Sequence, residues 1–250
     1  ARRLDGKGRI TSLVNCYEWL SFNFGPTLLR WLERADPATY NRVLQGDKAG
    51  AARLGKGNAM AQVYHHIIMP LAGRLDKEAE IAWALEDFRA RFGRDPEGLW
   101  LSESAADLET LEVLAEAGIT FTVLAPRQCR AVADLDSQEW TEVAEHEVDV
   151  SRPYLVELPS GRSISVFFYD GPVSQAIAFE RLLEDGEGFW QRIVSALPQN
   201  GLLHLATDGE TYGHHFKFGE MALAFVLSQT FFNRDEVELT NYAAYLRDNP

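Results

Sequence analysis

Short apolar runs alternate with amphipathic helical stretches along this chain of 250 residues, and that alternation restricts the possible folds more than any other feature. Leu20, Phe22 and Phe24 alternate with Ser21 and Asn23, as on a half-buried strand. Gly98 to Leu101, Ile119 to Leu124 and Leu202 to Ala206 are continuous apolar runs of strand length. Between them, Ile81, Leu85, Phe88 and Phe92 recur at helical spacing, and Gly93 follows as a stop. Leu108, Leu111, Leu114 and Ala115 mark a further helix that ends at Gly118. Strands separated by helices predict βαβ units and a parallel sheet, hence an α/β fold.

Other elements follow from local punctuation. Gly25-Pro26 breaks the first strand and starts a helix, and Asp36-Pro37 starts another that is expected to run to Leu44. Met60 to Leu71 is apolar but holds the adjacent histidines His65 and His66. Residues 127–163 lack helical periodicity and are rich in Asp, Glu and Ser, so they read as an excursion from the repeating pattern. Its end forms a hairpin from Tyr154-Leu155-Val156 to Ile164, Val166 and Phe168 around Pro159-Ser160-Gly161. Helices are expected over Val173–Leu183, Gly188–Leu197 and Glu220–Phe231, a strand at Val237–Leu239, and a last helix from Asn241. The whole chain, residues 1–250, reads as a single domain.

Composition removes several classes. No apolar run approaches the ~20 residues that cross a bilayer, so no membrane association is expected. The net charge of −13 disfavours nucleic acid, whose phosphates need clustered Lys and Arg, but admits a neutral partner such as a sugar. Cys16 and Cys129 form no disulfide framework and read as two reduced thiols in a cytoplasmic protein. The chain opens with Ala1 inside a charged segment and reads as a piece of a longer protein.

Two polar clusters stand immediately after apolar strands, where α/β enzymes place their chemistry. Glu103 follows Gly98–Leu101 with Trp100 beside it, a carboxylate next to an aromatic as in sugar sites. Two readings are open for it: a functional carboxylate, or a Glu meeting the dipole of the helix that starts near Asp107. Thr207 to His215 packs Asp208, Glu210, Tyr212, His214 and His215 between glycines, and Asp208 directly follows its strand. A polar turn built on Asp208-Gly209 is the alternative there. Two carboxylates meeting across one pocket suffice for glycoside cleavage, so Glu103 and Asp208 are expected to face the same pocket. Adjacent His65 and His66 diverge on any regular element, and each is either structural or functional. His204, inside an apolar strand, is expected in the core.

Gly98-Leu99-Trp100-Leu101-Ser102-Glu103 resembles the motif that carries the nucleophile of family 57 glycoside hydrolases, and Thr207-Asp208-Gly209-Glu210-Thr211-Tyr212-Gly213-His214 resembles their acid/base motif. His66-Ile67-Ile68-Met69-Pro70-Leu71 is similar to the family's histidine segment. Ser21 to Leu29 and Phe168 to Pro172 are similar to a bacterial subgroup of that family. The resemblance implies an incomplete (β/α)7 barrel of the family 57 and polysaccharide deacetylase-like type, a retaining mechanism on α-glucans, and no metal or cofactor. It makes Glu103 nucleophile and Asp208 general acid/base, with His66, Glu210 and His214 lining the sugar subsite. Trp100 and Asp107 join these as substrate-binding candidates, and the expected partner is an oligo- or polysaccharide. The family's opening His-Gln-Pro type motif is absent, so its first strand is expected upstream of Ala1, leaving one edge open. No carboxylate stands near Asn58, where related enzymes tend to place one. Two rivals remain: a metal-dependent deacetylase using Asp208, His214 and His65 or His66, and a non-catalytic carbohydrate-binding protein.

Overall fold

A computed structural model describes residues 1–135, 137, 139–232 and 237–249 of the chain. An N-terminal antiparallel hairpin pairs β1 (Arg2–Leu4) with β2 (Ile10–Leu13). Pro26 then opens α1 (Pro26–Ala35), where its missing N–H costs no helical bond. Asp36 caps α2 (Pro37–Leu54) by accepting from the Thr39 backbone N–H at 3.1 Å and from its hydroxyl at 2.6 Å.

α2 runs a further ten residues or so past the expected end at Leu44, and its glycines explain why. A Cβ on Gly46 would lie 2.5 Å from the Tyr17 Cβ, and one on Gly50 would lie 2.4 Å from the Asn58 side chain. These glycines let neighbouring segments press on the helix, and that packing outweighs the roughly 1 kcal/mol each costs in helix propensity. Asp47, on the same buried face, is held by the Arg94 guanidinium at 2.7 Å.

The parallel sheet follows chain order. Phe22 bridges to Ala59, and β3 (Ala61–Gln62) pairs with β4 (Leu99–Trp100) after the crossover helix α3 (Arg74–Phe92). Gly93 ends α3 in the left-handed region, at φ 70°. α4 (Leu108–Glu116) leads to β5 (Phe121–Leu124), whose start bridges to Gly98. The excursion contains β6 (Ala131–Ala133) paired antiparallel with β7 (Trp140–Glu142), and then β8 (Pro153–Glu157).

β9 (Ser163–Phe168) plays two parts. It is the second arm of the expected hairpin with β8, and it also pairs parallel with β5 from Phe121↔Ser165 to Leu124↔Phe168. Buried on one side at Ile164, Val166 and Phe168 and on the other at Phe167, it is a central strand rather than part of a peripheral excursion.

α5 (Gly171–Phe179) and α6 (Gly186–Ala196) follow. Leu202 to Ala206 lies beside the end of β9 through the Asp170 N–H to His204 C=O bond of 2.9 Å. It forms no ladder. Its other backbone bonds go to the Ser151 carbonyl and the Ser174 hydroxyl, so single contacts replace the expected strand pairing. Val237–Leu239 is likewise irregular, and the Leu239 carbonyl accepts from Arg53 at 2.8 Å. α7 (Gly219–Phe232) and α8 (Tyr242–Asp248) close the chain.

Val63, Leu99, Leu101, Leu114 and Ile164 form the centre of the main core, each contributing roughly 1.5–3 kcal/mol by leaving water. A second cluster joins α5, α6 and α7 through Ile177, Phe189, Trp190 and Val226. Parallel strands with helical crossovers make this an α/β fold. Among the described residues no pairing joins Leu202–Ala206 to the segment at Phe22, and no helix is long and apolar enough to cross a membrane.

Candidate active site

The C-terminal ends of the parallel strands border one groove, part of a continuous open space of about 2500 Å³ that Arg53, Leu239 and Arg247 also line. Gln62 and His66 line it from the end of β3 and the loop beyond, Trp100 and Glu103 from the end of β4, Tyr169 from the end of β9, and Asp208 from beyond Leu202–Ala206. The two carboxylates read from the sequence as a pair therefore border the same space.

Glu103 sits in a one-turn 3-10 segment, Ser102–Ser104, at φ 55° and ψ 21°. Ser104 also has φ 55°. Two successive non-glycine residues in the left-handed region are costly, at about 1–3 kcal/mol each, and such backbone persists where the surroundings impose it. Here the flanking Leu101 and Ser102 are buried and the Ser104 N–H returns to the Leu101 carbonyl at 3.0 Å. The turn projects the Glu103 side chain into the groove with 76% of it exposed. Glu103 does not start the following helix. Asp107 caps α4, accepting from the Thr110 N–H at 2.8 Å.

Asp107 is a correction. Its carboxylate is occupied by that cap and by the buried Lys77 ammonium, 3.2 Å from both oxygens, and it is not part of the groove. Lys77 lies 30 residues earlier, so only the tertiary fold reveals the pairing.

His66 also has a left-handed backbone, φ 57°, which turns its ring towards Glu103: Nε2 is 3.7 Å from Oε1. Its Nδ1 lies 2.9 Å from the Gln62 side-chain nitrogen. His65 diverges from it, as adjacent residues must. Its ring and backbone N–H both bind Glu80, at 2.7 and 2.8 Å, beside Tyr64 and Trp83.

Asp208 ends the Leu202–Ala206 run in extended geometry, and its carbonyl accepts from the Thr211 N–H at 3.1 Å. Asp208 is exposed and borders the groove. Thr207, its neighbour in the chain, and Tyr212 share a hydroxyl hydrogen bond of 3.0 Å, and burial pushes the Tyr212 phenol up. Glu210 lines the groove, 3.5 Å from His215 Nε2. His214 does not: it is solvent-exposed against the His215 ring, because the turn after Thr211 carries it outward.

Asn58 is structural. It is 1% exposed, donates to the Tyr17 carbonyl at 3.0 Å and accepts from the Asn241 side chain at 2.9 Å. His204 is buried between Tyr242 Oη and the Val150 carbonyl, both at 3.0 Å, and burial pushes its pKa down to about 4. Cys16 and Cys129 are half-buried free thiols, and burial pushes both up. Among the described residues no three His, Cys, Asp or Glu side chains gather around a common metal position.

Gln62 and Tyr169 were missed from sequence. A lone polar residue closing the apolar run at Met60–Ala61 was the signal for Gln62. Tyr169, the aromatic directly after β9, follows the same strand-end rule that singled out Glu103.

The profile of glycosyl hydrolase family 57 matches residues 18–250. The chain is 24% identical over 197 residues to Alpha-amylase 1 of Dictyoglomus thermophilum, covering 78% of this chain and 26% of that protein. Its structure is similar to that of the 4-alpha-glucanotransferase from Thermococcus litoralis, with a TM-score of 0.63 at 19% identity, over 93% of this chain and 32% of the other. It is also similar to a branching enzyme of the same family from Pyrococcus horikoshii, with a TM-score of 0.64 at 15% identity, over 88% and 50% of the two chains. The chain thus spans between about a quarter and a half of these proteins.

Proposed function

The chain belongs to glycosyl hydrolase family 57, and from that premise we propose that it forms the catalytic unit of an α-glucan-active enzyme that cleaves glycosidic bonds with retention. The observation that carries this reading is the shared groove: Glu103 and Asp208 reach it from separate strand ends, with Trp100 between β3 and β5 as an aromatic wall.

In this reading Glu103 attacks the anomeric carbon while Asp208 gives its proton to the departing glycosidic oxygen. The result is a covalent glycosyl-enzyme and a freed sugar chain. Asp208, now ionised, takes a proton from water or from a sugar hydroxyl, and that oxygen displaces Glu103. Water as acceptor gives hydrolysis; a 4-hydroxyl gives transfer; a 6-hydroxyl gives a branch. His66 and Glu210 are placed to hold sugar hydroxyls, and Trp100 and Tyr169 offer ring faces to the apolar face of a glucose unit.

The finer architecture we infer is an incomplete (β/α)7 barrel in one domain. The chain-order succession of Phe22, β3, β4, β5, β9 and Leu202–Ala206 supports it.

The test is to incubate the chain with amylose, glycogen and maltooligosaccharides and to resolve the products by length and linkage. Shorter oligomers alone indicate hydrolysis, longer ones transfer, and new α-1,6 linkages branching. The Glu103→Gln variant should be inactive on all of them. Turnover that survives in that variant would overturn the assignment.

A further inference from the structure

We propose that Gln62 is a positioning residue that holds His66 as the neutral Nε2–H tautomer and so aims a proton at Glu103. The inference rests on the reading of Glu103 as the nucleophile, and deepens it by naming what orients that carboxylate.

The geometry runs in one direction. Gln62 Nε2 faces His66 Nδ1 at 2.9 Å. An amide nitrogen only donates, so Nδ1 must present its lone pair. A neutral imidazole with an accepting Nδ1 carries its proton on Nε2. That nitrogen lies 3.7 Å from Glu103 Oε1, one small adjustment from a hydrogen bond of the kind that tightens when substrate fills a site.

Three features fix the arrangement. Gln62 is on β3, paired with Trp100 of β4, so its backbone is in the sheet rather than in a loop. The Gln62 amide nitrogen also packs beside Gly25, where an added Cβ would lie in ordinary contact at 3.4 Å. The left-handed backbone of His66, with its N–H returned to the Val63 carbonyl at 3.2 Å, is what lets residues 62 and 66 meet side by side. The chemistry benefits in a simple way. A carboxylate nucleophile with 76% of its side chain exposed samples many orientations, and a neutral N–H donor on one oxygen leaves the other free to attack. A cation there would instead bind the carboxylate tightly and weaken it as a nucleophile.

The test uses nitrogen NMR of the imidazole side chains in the full chain, well above the ordinary imidazole titration range. The unmodified protein should show His66 as the Nε2–H tautomer. Gln62→Glu keeps the shape but offers an acceptor to Nδ1, and should move the proton to Nδ1 or hold the ring charged. Gln62→Leu should leave the two tautomers mixed. On maltooligosaccharides both variants should lose kcat by on the order of tenfold, as orienting partners typically do, with KM within about twofold. An Nδ1–H tautomer in the unmodified protein, or a tautomer indifferent to both substitutions, would overturn the inference. So would unchanged kcat in variants whose tautomer has shifted. If the unmodified chain cleaves no glucan, the proposed function fails while the NMR result still decides the role of Gln62.

Discussion

The two halves of the groove are built differently. On the Glu103 side, β3 and β4 are paired strands, and Gln62, His66 and Glu103 meet through side chains held by strained but well-anchored backbone. On the Asp208 side, Leu202–Ala206 lies beside β9 without a ladder, tied by single bonds to Asp170, Ser151 and Ser174. The difference suits the two jobs proposed for these carboxylates. A nucleophile must meet one carbon at one angle, so precision is useful there. An acid/base group must serve a leaving oxygen first and an incoming one afterwards, so some freedom of its segment is tolerable.

The largest expected effect separates the halves chemically. Glu103→Gln should lower kcat by roughly 10⁴-fold or more for every leaving group, since no covalent step remains. Asp208→Asn should be as severe on maltooligosaccharides but should spare much of the first step on a nitrophenyl glycoside, whose leaving group needs no proton. Burst kinetics with both substrates measure this. Equal loss on both substrates for Asp208→Asn, with activity kept in Glu103→Gln, would mean the roles are reversed.

The next effect concerns pH, and it should loosen the Asp208 side first. Burial holds the folded pKa of His204 at about 4, below the 6.5 of an open histidine. Between those values the unfolded chain binds a proton that the folded chain does not. Stability is therefore full above about pH 6.5, falls as pH drops towards 4, and levels off below it, losing about 3 kcal/mol in all from this group. Hydrogen exchange at acidic pH should rise in Leu202–Asp208 and α8, which His204 joins through Tyr242, before it rises in β3 and β4. His204→Gln should flatten the pH dependence of the melting temperature. Uniform acceleration across both halves would argue that they are one cooperative unit.

A packing test acts on the other side. Gly98 lets β4 approach β5: a Cβ there would lie 2.2 Å from the Phe121 ring, itself 1% exposed and backed by Phe167. Gly98→Ala should cost about 1–3 kcal/mol by overpacking and show as a lower midpoint in denaturant. Because β4 leads straight to Glu103, kcat should fall more than the stability loss alone explains under conditions where the protein stays folded.

Much of this plan was legible in the residues, for physical reasons that also set its limits. The 3.6-residue spacing of Ile81, Leu85, Phe88 and Phe92 and the stop at Gly93 depend on local geometry, so α3 could be read directly. Glu103 and Asp208 stand out in the sequence because each closely follows an apolar run. α2 was read too short because Gly46 and Gly50 look like breakers until Tyr17 and Asn58 are seen pressed against them. Asp107 was placed with the substrate residues because its partner Lys77 is distant in sequence. Gln62 carries only a faint signal, a polar residue after Met60–Ala61, since its contact with His66 depends on the left-handed turn there. His214 was carried into the site by the resemblance, and a single turn after Thr211 moves it out.

The smallest expected effect tests the side-chain support closest to Asp208. Thr207 and Tyr212 flank Asp208 in sequence and share one hydrogen bond of 3.0 Å, with the Tyr212 ring packed into the cluster of α5, α6 and α7. Tyr212→Phe keeps the ring and removes the hydroxyl, leaving the Thr207 hydroxyl half-buried, where water can reach it. A neutral bond of this kind contributes about 0.5–1.5 kcal/mol, so the melting temperature should move little. What should change is the proton-transfer step, because the residues flanking Asp208 lose a side-chain tie to each other. The loss should therefore appear on maltooligosaccharides, which need the proton, and be nearly absent on a nitrophenyl glycoside, which does not. If both substrates slow equally, the Tyr212 hydroxyl supports the whole groove and the contrast between its halves is weaker than drawn. If neither slows, Asp208 is held by the backbone bonds of its turn alone.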